Sequence, residues 1–130
     1  MPKPILVQTA PGELIDKITI LQIKSERMTD ADKLRNVGLE LKTLVAARDA
    51  AMDVTDELAE LSAQLKRVNE ELWEIEDAIR ACDREGDFGP RFIELARAVY
   101  HSNDKRAALK RAINELLGST LVEEKSYAAY

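Results

Sequence analysis

The sequence predicts an all-α fold, an antiparallel bundle of about four helices, on three observations. Apolar residues recur at steps of three and four along most of the 130 residues. Five Gly and four Pro are too few for a loop-rich or all-β design. The turn-forming residues gather at three short stretches, 29–30, 53–56 and 86–90. A chain of this length suits one domain, 1–130, large enough to bury a core. Aromatics make up 5% of it, so Leu, Ile, Val and Ala must fill that core.

The first helix is expected to open at Pro11, with Thr9 as its cap and Glu13 near its positive end. Leu14, Ile18, Leu21 and Met28 recur at helical spacing, and Ile15, Ile20 and Ile23 widen the stripe. Thr29 and Asp30 end it and cap a second helix, in which Leu34, Val37, Leu41 and Leu44 face inward and an Ala-rich run continues to Met52. Thr55 or Asp56 caps the third.

That third helix carries the clearest pattern. Leu58, Leu61, Leu65, Val68, Leu72, Ile75, Ile79 and Cys82 alternate steps of three and four without a miss, a coiled-coil seam. Each buried Leu or Ile contributes roughly 1.5–3 kcal/mol, so the seam requires a partner helix, and a second chain would serve as well. Gly86, Gly89 and Pro90 separate it from a fourth helix with the seam Phe92, Leu95, Val99, Ser102, Arg106, Leu109, Ile113 and Leu116, closed by Gly118. Residues 56–117 therefore read as one long helical hairpin, with helices one and two beside it. Ile5–Thr9 and Leu121-Val122 have strand-like residues and can pair as a short β element formed by the termini.

A net charge of −5 argues against nucleic-acid binding, which needs a dense basic footprint. The single cysteine, Cys82, fits a reducing compartment. No apolar run approaches a membrane span or the core of a signal peptide. A cytoplasmic protein is expected.

Five segments, PGELIDKITIL (11–21), LWEIEDAIR (72–80), FIELARAVY (92–100), NDKRAALKR (103–111) and GSTLVEEKSY (118–127), resemble a family of small bacterial proteins known only as a domain of unknown function. The resemblance spans nearly the whole chain, and the first and last motifs are specific. It implies a link to bacterial cell-surface polysaccharide synthesis, because relatives accompany glycosyltransferases of that pathway. It implies no activity.

The polar residues that the helices leave unexplained are the candidate site. Ser102 and Arg106 fall on the apolar seam of the fourth helix, and an unpaired buried guanidinium there would cost several kcal/mol. A structural ion pair with Asp16, Glu76 or Asp77 explains Arg106 most simply. An anion-binding pocket of Arg106, Arg97 and Lys105 is the sharper alternative. Asp16, Lys17 and Lys24 border the apolar stripe of the first helix, where a solvated charged face is the ordinary explanation. Glu70, Glu71 and Glu74 echo an acidic Mg²⁺ motif of all-helical pyrophosphohydrolases, but Glu94 and Asp104, ten residues apart, cannot form the second pair. His101 is the only histidine, and nothing suggests zinc, a phosphate loop or a catalytic triad. No cofactor or metal is expected.

Two functions compete on these residues. The favoured one is a non-enzymatic helical accessory or adaptor protein, self-associating or bound to a protein partner, with contacts at Asn103, Asp104, Arg106 and a tail containing Glu124, Lys125 and Tyr127. The rival is a small all-α enzyme or binding protein for a phosphate or carboxylate metabolite. By architectural analogy with chorismate-mutase-like bundles, it would use Lys17, Lys24, Arg97 and Arg106 as electrostatic preorganisation. Cations that are already paired point to the adaptor, and cations converging on an open pocket point to the ligand.

Overall fold

The computed structural model describes residues 3–119, Glu124 and Ser126. Within them lie four helices: α1 (Pro11–Arg27), α2 (Ala31–Ala51), α3 (Asp56–Glu85) and α4 (Pro90–Leu116). There is no strand among the described residues.

The helix ends follow from local chemistry. Asp30 accepts a bond from the Lys33 N–H at the start of α2, and Thr55 accepts one from the Leu58 N–H at the start of α3. Gly86 closes α3 in the left-handed region, φ 69°, which a residue with a Cβ resists. Proline opens both α1 and α4, where its missing N–H costs nothing. The cap of α1 differs from expectation. Ala10, not Thr9, is the N-cap, and no side chain bonds there.

α3 and α4 form the expected hairpin, and α1 packs against all three other helices. α2 comes close only to α1. That centrality explains the wide apolar stripe of α1: Ile15, Ile18, Leu21 and Ile23 are all buried, because a helix with neighbours on several sides has no single wet face. The core is built on Ile15, Ile18, Leu58, Leu65 and Ile113, with Leu41, Leu44 and Val45 of α2 packed against it. Along α3, Leu58, Leu65, Val68 and Cys82 are buried, and Leu61, Leu72, Ile75 and Ile79 are half-buried.

The expected terminal β pair is not seen where it can be judged. Residues 5–9 adopt no regular structure, and Ile5, Leu6 and Val7 are 89%, 91% and 77% exposed. Among the described residues their backbone groups have no strand partner, and a sheet needs one. Its expected partner, Leu121-Val122, lies outside the described residues.

Candidate functional site

The polar centre of the molecule is where α1 lies along α4. At its heart, the Arg106 Nε donates to Asp16 Oδ1 at 2.9 Å and Nη2 donates to Oδ2 at 2.5 Å. The pair is bidentate, the geometry that suits a planar guanidinium best. Asp16 is 1% exposed, and burying a carboxylate is costly unless it is paired and hydrogen-bonded, as it is here. Asn69 of α3 supplies the remaining donor, with its Nδ2 2.9 Å from Asp16 Oδ1 and also 2.9 Å from Thr19 Oγ1. The Thr19 hydroxyl in turn donates to the Asp16 carbonyl. Three helices are thus pinned by one carboxylate.

One turn toward the start of α1, the Gly12 N–H donates to Asn114 Oδ1 at 2.7 Å. Here the helices touch through backbone. A Cβ on Gly12 would drive into the Lys110 carbonyl and sit 2.9 Å from Asn114 Oδ1. Beside it, the buried Lys110 Nζ reaches Glu13 at 2.8 Å. Ser102, Arg106, Lys110 and Asn114 follow one another at steps of four on α4, and all but Arg106 are buried. Gly12, Asp16, Ile20 and Lys24 do the same on α1. Two ridges of period four laid together produce this contact.

Past Asp16, the ridge opens into a groove of about 630 Å³ between α1, α3 and α4. Ile20, Ile23, Leu72, Trp73 and Val99 give it an apolar floor. Lys24, Asn103 and Arg106 line it from above, and Glu76, Asp77 and Arg80 stand along α3. Glu76 is engaged by Arg80 at 3.0 Å. Lys24 has no ion-pair partner among the described residues. The volume lies within the range of ordinary ligand pockets.

The profile of a family of unknown function, DUF6165, matches residues 5–130. The chain belongs to this family. No match was found among curated proteins or among solved structures. Membership of DUF6165 assigns no chemistry, so the site in this DUF6165 chain must be judged on its geometry.

Of the residues singled out from the sequence, the fold gathers Asp16, Lys24, Asn103 and Arg106 around the ridge and groove. Among the described residues, Lys17, Arg97, Asp104 and Glu124 do not line the groove. Lys17 is exposed on α1, Arg97 is exposed and bonded to the Tyr100 hydroxyl at 3.4 Å, and Asp104 is exposed on α4. Glu124 lies 3.9 Å from Arg111, while Lys125 and Tyr127 lie outside the described residues. The acidic run on α3 is partly absorbed by Arg27, which meets Glu70 at 3.7 Å and Glu74 at 3.5 Å. No cluster of His, Cys, Asp or Glu able to hold a metal occurs among the described residues. No helix there is long and apolar enough to cross a membrane.

Sequence reasoning passed over Gly12, Thr19, Asn69, Lys110 and Asn114. The signal was present in α4, since Lys110 and Asn114 continue the Ser102-Arg106 spacing. Asn69 and Thr19 carry no such mark, because each sits among charged or apolar residues typical of any bundle.

Proposed function

We propose that this protein is a non-enzymatic helical accessory or adaptor protein that acts by contacting another protein chain, and that it serves bacterial cell-surface polysaccharide synthesis. The polysaccharide link rests on the family resemblance alone. The observation that carries the adaptor reading is the Arg106–Asp16 pair: the cation at the centre of the bundle is already matched by a buried carboxylate. A site evolved to seize an anion would hold its guanidinium without so complete a counter-charge. Arg97, the second arginine such a site would use, does not line the groove. Exposed apolar residues favour protein contact, among them Phe88 and Ile93 at the hairpin tip, each 56% exposed, and the aliphatic arm at residues 5–7.

The rival reading, a binding protein or enzyme for a phosphate or carboxylate metabolite, draws support from the groove alone, where Lys24 has no counter-ion among the described residues. A thermal-shift panel of phosphorylated and carboxylated compounds separates the two. The adaptor predicts no rise in Tm from any member, since only a molecule that binds the native state stabilises it. A rise of several degrees that Lys24→Ala removes would transfer the assignment to the ligand class.

A further inference from the structure

We propose that the groove between α1, α3 and α4 receives residues 4–8 of a second copy of this chain, so that two copies exchange their N-terminal arms. The proposal rests on the protein-contact reading above and names the partner. The arm is built to be covered. Ile5, Leu6 and Val7 are nearly fully exposed, and in an extended segment Ile5 and Val7 point to one side and Leu6 to the other. Neither side can face water without loss. Residues 3–9 make no backbone hydrogen bond among the described residues, so their peptide groups are available to a partner.

The groove offers what such a strap needs. Its floor of Ile20, Ile23, Leu72, Trp73 and Val99 matches three aliphatic side chains in character, and its volume suits a short peptide. The Asn103 carboxamide has no hydrogen-bond partner among the described residues, and the Lys24 ammonium has no ion pair there. Both are donors able to meet carbonyls of an extended chain. Pro4 brings no N–H that would require an acceptor. Charge agrees as well. Lys3 is the only charged side chain before Glu13, and Asp77 beside the groove has no ion-pair partner among the described residues.

A second copy fits better than the arm's own groove. The arm joins α1 at Pro11, whereas Ile20 and Lys24 lie roughly 14–20 Å further along the same helix. To reach them in its own chain, the arm would have to double back over the α1–α4 contact, which Gly12, Asn114 and the Arg106–Asp16 pair already fill. Exchange between two copies is symmetric and closed, with each arm covering the other's groove.

Trp73 is the only tryptophan, and it lines the groove, so its emission reports what lies there. Sedimentation velocity and tryptophan emission of the full chain, from low to high micromolar concentration, test the proposal beside the variant Leu6→Asp. Leu6 is exposed and touches no core residue, so the variant folds. The expected result is a dimer that forms with concentration, a parallel blue shift of Trp73, and at least a tenfold weaker association with no blue shift in Leu6→Asp. Separately prepared Leu6→Cys and Lys24→Cys chains, mixed and mildly oxidised, should cross-link to each other. A wild-type monomer throughout, a dimer indifferent to Leu6→Asp, or an arm-dependent blue shift independent of concentration would each overturn the exchange. A monomer that binds no metabolite would overturn the exchange and leave the adaptor reading standing. A metabolite that raises Tm in the wild type but not in Lys24→Ala would occupy the groove and overturn both.

Discussion

Arg106 and Asp16 stand 90 residues apart in the chain and 2.9 Å apart in the fold, joined by two hydrogen bonds between a half-buried guanidinium and a buried carboxylate. The arrangement is asymmetric. Arg106 keeps 31% of its side chain exposed, while Asp16 keeps 1%. Losing the arginine therefore strands a charge that water cannot reach, and losing the aspartate strands one that it can.

Arg106→Ala should for that reason be the costlier of the two single substitutions. Removing one member of a buried pair costs about 3–5 kcal/mol, and Asp16→Ala is expected at the low end, Arg106→Ala toward the high end. The double variant should be more stable than the sum of the singles by at least about 1 kcal/mol. Urea unfolding followed by circular dichroism gives all three values, and strict additivity would show that the pair is not coupled.

Two helical glycines should respond to alanine with opposite signs. At Gly12 the added methyl meets the Lys110 backbone, which cannot step aside, and Gly12→Ala is expected to cost about 2 kcal/mol or more. At Gly38, inside α2, nothing lies within 4 Å of the new methyl. Gly38→Ala should therefore gain about 0.5–1 kcal/mol from helix propensity. The same denaturation assay reads both.

Leu65 and Leu39 form a similar contrast in the core. Leu65 is 0% exposed and Leu39 is 69% exposed, though both lie in helices. Leu65→Ala is expected to lose about 3 kcal/mol, from transfer and cavity together, and Leu39→Ala to stay within about 0.5 kcal/mol of the parent. Equal effects would mean that the seam of α3 is not the core.

Asn69→Asp would set a second carboxylate at hydrogen-bond distance from Asp16, in place of the 2.9 Å donor now there. Two neighbouring carboxylates resist ionising together. The variant should be markedly less stable than the parent at neutral pH and recover part of the loss in mild acid, where one proton can be shared. Thermal melts at the two pH values measure the recovery.

How far the sequence discloses this molecule depends on whether a residue breaks its local pattern. α3 was legible along its whole length because the Leu58 to Cys82 spacing admits no other element. Arg106 was legible as an anomaly, since a guanidinium on an apolar seam demands an explanation, and Asp16 was among the partners named for it. Asn69 was invisible because an asparagine between Val68 and Glu70 looks like any solvated flank. Gly12 was hidden behind Pro11, which already explained a helix start. Ile5–Thr9 has the composition of a strand but adopts no regular structure, because composition alone does not supply the neighbour that a strand needs. The groove itself arises from the way three helices diverge past Asp16, and single-helix periodicity has no access to that angle.

The contact between Gly12 and Asn114 also sets a timetable for the chain's birth. On a ribosome, the helix that every other helix leans on is made first, and the side chain that locks its N-terminal end is made 102 residues later. At ordinary elongation rates that is a wait of roughly 5–20 s, during which Ile15 and Ile18 are sheltered first by α2 and then by Leu58 and Leu65 of α3, but not yet by Ile113 of α4. That end of α1 therefore stays unlocked until α4 has been made, and the Gly12 contact is among the last of the bundle to close.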